Sequence, residues 1–163
     1  GRDLIKAGNE KGIIIDLSHL NEAGFWDVAN LTTKPLVATH SNCHAITPSP
    51  RNLTDKQLDA IAETGGVVGL NFATGFLRAD GKKDSNTPLG QMVTHINKLL
   101  EKLGEDGVAI GSDFDGAQVP RDIKDCSGLP NLINAMRAAS YGDELIDKIC
   151  FKNWINIIHQ TIK

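Results

Sequence analysis

The sequence predicts a parallel α/β protein, and within that class a (β/α)8 TIM-type barrel of which this chain supplies roughly the last four β/α units. Three observations predict it. Short, β-branched apolar runs alternate four times with amphipathic stretches, as in a sheet whose strands are buried on both faces. The loops lengthen after the strands. Side chains able to bind metal or move protons stand at the carboxyl ends of three of the four runs, where barrels carry their chemistry. An open doubly wound sheet shares the alternation, but its first strand leads into a glycine-rich phosphate turn. Here that turn is Leu17-Ser18-His19-Leu20. A complete barrel needs ~250 residues, so these 163 residues correspond to half of one.

Each element follows from local pattern. Residues 12–19 (GIIIDLSH) form the first strand, and residues 21–30 a short helix capped by Asn21. Residues 35–40 (PLVATH) form the second strand, followed by a polar loop over 41–52. A helix over 53–63 has Thr54 as its N-cap and Gly65-Gly66 beyond its end. Residues 67–72 form the third strand, and 74–88 a loop rich in Gly, Asp and Asn. Leu89, Met92, Val93, Ile96, Leu99, Leu100 and Leu103 keep a 3.6-residue period, the clearest helix in the chain. The fourth strand spans 108–112, residues 113–130 are irregular, and helices over 131–140 and 143–162 close the chain.

Composition narrows the function. Hydrophobic residues at 40% and charged residues at 23% suit a chain that buries a core. Seventeen Lys+Arg against twenty Asp+Glu leave a net charge of −3 with no basic block. A dedicated nucleic-acid binder needs a basic face, so nucleic acid is not an expected partner. No apolar run approaches the ~18–20 residues of a membrane span. Cys43, Cys126 and Cys150 are too few and too scattered for a disulfide framework. A reducing, cytoplasmic setting is expected. The chain opens on Gly1 in a helical pattern, so an amino-terminal portion, with any leader, is expected ahead of it.

The first strand ends in His19, the second in His40 and the fourth in Asp113-Phe114-Asp115. An imidazole at a strand end offers a lone pair at a fixed position, which zinc requires. A carboxylate nearby can accept a proton or hold a cationic substrate group. Arg51, in the loop above the second strand, can grip a carboxylate with two parallel hydrogen bonds. Asp16, inside an apolar run, needs a polar partner. His44 completes an HxxxH with His40, but Pro48 and Pro50 argue against a helix there, so it is expected to be a loop residue and not a ligand. His95 is expected to be buried and hydrogen-bonded, and His159 to be structural. Asp55 and Lys56 are expected to serve helix-end electrostatics.

Ile15-Asp16-Leu17-Ser18-His19, Thr39-His40-Ser41-Asn42, Arg51-Asn52-Leu53-Thr54-Asp55 and Gly111-Ser112-Asp113-Phe114-Asp115-Gly116 occur in order and at compatible spacings. Together they resemble successive motifs of the membrane dipeptidase (renal dipeptidase) family. The resemblance implies a (β/α)8 barrel with two zinc ions, hydrolysing dipeptides, including those with a D-residue at the carboxyl-terminal position, through a metal-bridging hydroxide. It implies that His19 and His40 bind one zinc, that Arg51 holds the substrate, and that the catalytic Asp113 contacts it. That family holds its other zinc with a His-x-Asp motif on the first strand and bridges both metals with a glutamate. No His-x-Asp occurs here. Residues 1–163 are therefore expected to be the carboxyl-terminal half of one barrel domain. The amino-terminal half is expected to come from another segment or a companion chain, and homo-oligomers are possible. Alone, the chain is expected to hold at most one zinc weakly, to be inactive, and to expose both edge strands and its inner apolar layer. The alternatives are another metal-dependent amidohydrolase on the same barrel, or a non-catalytic half-barrel scaffold.

Overall fold

Four apolar runs call for four strands; a computed structural model, which describes residues 1–162, pairs three of them into a sheet. Its helices, in chain order, are α1 (Arg2–Lys11), α2 (Glu22–Leu31), α3 (Asp55–Glu63), α4 (Thr74–Leu77), α5 (Leu89–Leu103), α6 (Leu129–Ala138), α7 (Asp143–Asp147) and α8 (Asn153–Thr161). Strands β1 (Val37–Ser41), β2 (Val67–Leu70) and β3 (Val108–Ile110) are parallel and adjacent in chain order. The first apolar run departs from the expected strand. It meets β1 at a single bridge, Asp16 to Val37, with the Leu17 N–H donating to the Val37 carbonyl at 2.8 Å. The ladder stops there because the Asp16 carboxylate, and not a backbone carbonyl, takes the next N–H, that of Thr39.

Local signals set the helix starts. The Asn21 side chain accepts from the Gly24 N–H at 2.8 Å and caps α2. Thr54 and Gln57 form a reciprocal capping box at α3, so that helix begins at Asp55. Leu53 is left outside it and bridges to Cys43. Three expectations shift. The 74–88 loop opens with the single turn α4, and α6 begins at Leu129, ahead of the expected 131. The long closing helix is broken by a π-helical turn over Lys148–Lys152.

The sheet packs on two faces. Ala38, Val68, Leu70 and Val108 join Leu58 and Ile61 of α3 and Met92, Ile96 and Leu99 of α5 in one core. Val37, Val67 and Ala109, of opposite parity, form a second cluster with Ile157, against which Ile14 and Trp154 pack. The expectation of a bare inner layer is thus corrected: Val67 and Ala109 are fully buried, because α8 lies across them. A large apolar side chain buried in this way contributes about 1.5–3 kcal/mol. The outer edge of β3 is also occupied. Asn153 Nδ2 donates to the Val108 carbonyl and Trp154 Nε1 to the Ile110 carbonyl, each at 2.8 Å. The same helical segment exposes Phe151, Ile155 and Ile158.

Residues of that second parity change character along the strands. Ile14, Val37, Val67 and Ala109 are apolar. Next come Asp16 and Thr39, hydrogen-bonded to each other, beside Gly69 and Gly111. Beyond them Ser18 meets Ser41 at 3.3 Å and Asn71 meets Asp113 at 2.9 Å. A β carbon on Gly69 or Gly111 would collide with the Thr39 carbonyl oxygen, so glycine is required for β1 to approach this closely.

His95 of α5 is buried and hydrogen-bonded, as expected. Its Nδ1 accepts from the Cys43 N–H at 3.2 Å and its Nε2 donates to the Leu77 carbonyl at 3.0 Å, bracing the loops after β1 and β2. Burial holds its pKa below the ordinary 6.5, the Leu77 bond pulling weakly the other way. The unfolded chain therefore binds the extra proton first as pH falls, and stability present above pH 6.5 is lost below it. Urea unfolding is expected to show lower stability at pH 5.5 than at pH 7.5, with a smaller difference in His95→Gln.

Candidate active site

The site is built at the carboxyl ends of the strands, where polar side chains replace the apolar layer. Its organiser is Asp16. Oδ1 accepts from the Ser18 N–H (3.0 Å) and the Thr39 N–H (2.9 Å), and Oδ2 from the Thr39 hydroxyl (2.5 Å). Thr39 Oγ1 lies 2.7 Å from His40 Nδ1. Neighbouring residues of a regular strand point to opposite faces, so that contact needs distorted backbone. The β1–β2 pairing supplies it, its register shifting between Ala38 and Ser41. The His40 N–H donates to Ser18 Oγ at 3.0 Å, closing the link between the two chain segments that carry His19 and His40.

These contacts bring the two histidines together, with ring centroids 4.9 Å apart. Arg51 Nη2 donates to His19 Nε2 at 2.7 Å, and its guanidinium carbon stacks 5.4 Å from the Phe76 ring centroid. Arg51 Nη1 is buried with no hydrogen-bond partner among the described residues. Partial desolvation, then Arg51, then His40, hold the His19 imidazole below its ordinary 6.5, against the pull of Asp113 and Asp16. Burial lowers Arg51, and Asp113 and Asp16 raise it.

Asp113 is positioned from the end of β2. Asn71, just past β2, donates from Nδ2 to Asp113 Oδ2 at 2.9 Å and accepts at Oδ1 from the Ala73 N–H. Asn42 pairs with the Asn71 backbone through both its amide atoms. Phe114 packs edge-on against Phe72, ring centroids 5.7 Å apart, and anchors the loop. His19 (φ 72°) and Asp113 (φ 57°) both occupy the left-handed region. That conformation costs a non-glycine residue of order 1–3 kcal/mol and concentrates at working sites.

His19, Arg51 and Asp113 line one cleft of about 280 Å³, with Asp115, Phe76 and Lys83 on its walls. His40 reaches this group through its contact with His19. The four candidate residues are therefore neighbours. His44 lies in the loop with its N–H bonded to the Leu53 carbonyl, and His159 is exposed on α8. Asp16 is exposed and not buried, but partnered as its position demanded. Sequence reasoning missed Asn71, Thr39 and Phe76. Asn71 carried a signal: it is the polar residue near the end of the third apolar run, close to the place that held His19, His40 and Asp113 in the others.

Two imidazoles side by side are a donor set for a borderline metal such as zinc. Among the described residues no group of three or more His, Cys, Asp or Glu side chains is gathered to hold a metal ion. The residues fit part of a metal site, and Arg51 occupies the Nε2 of one of them.

The model of the family described as "Membrane dipeptidase (Peptidase family M19)" matches residues 1–163. An uncharacterized protein in the pqqA 5' region of Klebsiella pneumoniae is 54% identical over 158 residues, covering 97% of this chain and 58% of that protein. The dipeptidase ataJ of Aspergillus terreus is 35% identical over 151 residues, covering 92% of this chain and 36% of that protein. A metallo peptidase from Rhodobacter sphaeroides, solved with a phosphinate mimic of the dipeptide L-Ala-D-Ala, superposes with a TM-score of 0.97 at 53% identity. That match covers 99% of this chain and 46% of the other. The chain thus spans between about a third and three-fifths of the length of these relatives.

The Arg51 contact makes the His19 titration a measure of this geometry. Arg51→Met is expected to raise the His19 pKa toward the ordinary imidazole value, followed by NMR titration of the histidine ring protons.

Proposed function

The chain belongs to the membrane dipeptidase family, and on that footing we propose that it is the carboxyl-terminal half of a zinc-dependent dipeptidase built on a (β/α)8 barrel. The observation that carries the reading is Arg51. Its guanidinium is stacked on Phe76 beside the paired histidines, with one buried nitrogen lacking a partner. A fixed guanidinium with a spare donor suits the terminal carboxylate of a short peptide, which it can grip through two parallel hydrogen bonds.

The remaining roles follow from charge and position. His19 and His40 would hold a zinc ion, with further ligands from the other half of the domain, in another segment or a companion chain. When bound, zinc supplies polarisation of the scissile carbonyl and activation of the attacking water. Asp113, its Oδ2 fixed by Asn71, would either hold the dipeptide amine or take the proton released by the attacking water and pass it to the leaving nitrogen. The Rhodobacter relative binds a mimic of L-Ala-D-Ala. That supports a substrate range that includes D-residues at the carboxyl-terminal position.

Mixed with its amino-terminal half and zinc, the chain is expected to hydrolyse dipeptides and to lose that activity to a chelator. Losing two charge-assisted hydrogen bonds in Arg51→Ala is expected to raise KM about 10–100-fold with a smaller change in kcat. Steady-state kinetics on free and carboxylate-blocked dipeptides measure both, and an unchanged KM would remove Arg51 from the substrate.

A further inference from the structure

The hydrogen bonds around His40 fix where its proton sits. Thr39 Oγ1 has one hydrogen to donate and two polar neighbours, Asp16 Oδ2 at 2.5 Å and His40 Nδ1 at 2.7 Å. A carboxylate only accepts, so the hydroxyl hydrogen points to Asp16. The remaining contact then has one donor available, the His40 Nδ1–H, with Thr39 Oγ1 accepting. In the neutral ring this leaves Nε2 unprotonated. We infer that Asp16 and Thr39 are positioning residues that hold His40 in the Nδ1–H tautomer, presenting the Nε2 lone pair to a metal ion. This rests on the reading of His40 as a metal ligand.

The relay is held from both ends. Asp16 Oδ1 is committed to two backbone amides, Ser18 and Thr39, which turns Oδ2 toward the Thr39 hydroxyl. The His40 N–H is bonded to Ser18 Oγ, which fixes the backbone that carries the ring. A ligating histidine whose other nitrogen donates to an oriented oxygen is both aimed and made more basic, and losing such a partner typically costs 10–100-fold in metal affinity. Here the oxygen is a hydroxyl polarised by a carboxylate one bond further on. Neither Asp16 nor Thr39 lines the cleft, so both act through His40.

The test uses the full chain with ¹⁵N-labelled histidine. In metal-free protein, the ring nitrogen shifts of His40 are expected to show a protonated Nδ1 and an unprotonated Nε2. Thr39→Val keeps the side-chain shape and removes the hydroxyl; it is expected to mix the tautomers and to weaken zinc binding about 10–100-fold in competition with a chromogenic chelator. Thr39→Ser is expected to restore both. A neutral wild-type His40 ring protonated at Nε2 overturns the inference whatever the variants do, including a Thr39→Val chain that does not fold. So does a folded Thr39→Val chain with unchanged tautomer and unchanged zinc affinity. The tautomer is read without metal, so its failure leaves the dipeptidase reading standing, whereas the expected tautomer with no zinc binding in the presence of the amino-terminal half counts against that reading instead.

Discussion

The carboxylate of Asp16 is the interaction on which the site depends. One side chain accepts from Ser18 on its own segment and from the amide and hydroxyl of Thr39 on β1. It thereby replaces the backbone ladder where the ladder would otherwise continue. A continued ladder would have kept the alternation of β1 regular, with Thr39 and His40 on opposite faces. Ending it with a side chain frees the backbone to distort, so that adjacent residues share one polar cluster. The same carboxylate sets the distance between the segments bearing His19 and His40. Fold and chemistry meet in that one group.

The distorted strand has to fit against its neighbours, and two glycines make the room. Gly69 and Gly111 lie beside the Thr39 carbonyl, where any side chain would collide with it. Along the strands the same parity then runs from apolar residues through this glycine layer to Asn71 and Asp113. An apolar base and a polar rim follow from one alternation, with the change of character placed at the candidate site. His95 and Asn42 brace the loops from behind, one through Cys43 and Leu77, the other through Asn71. Site residues carried on loops are rigid only when the loop backbone is itself tied down.

Half the length of a relative need not leave a raw surface. α8 covers the inner ends of the strands with Ile157 and Trp154, and Asn153 and Trp154 satisfy carbonyls at the β3 edge. Unpaired strand carbonyls are what make an edge prone to foreign pairing, and two of them are occupied by side chains of this chain. Phe151, Ile155 and Ile158 of the same helical segment remain exposed. The closed edge and the exposed apolar residues are carried by one helical segment.

Much of this was legible in the sequence because it is local. The β-branched runs, the Asn21 cap, the Thr54–Gln57 box and the α5 stripe each depend on residues within a turn or two of one another. The candidates His19, His40, Arg51 and Asp113 stood out because strand ends are the places where a parallel α/β fold exposes side chains. Tertiary structure decided what depends on residues far apart in the chain. The first run meets β1 at a single bridge because Asp16 meets Thr39, 23 positions away. Asn71 matters through Asp113, 42 positions on, and α8 covers strands that precede it by more than forty residues. Periodicity records which face a residue occupies, whereas the partner it finds there depends on how the elements pack, and it was packing that turned four plausible residues into one site.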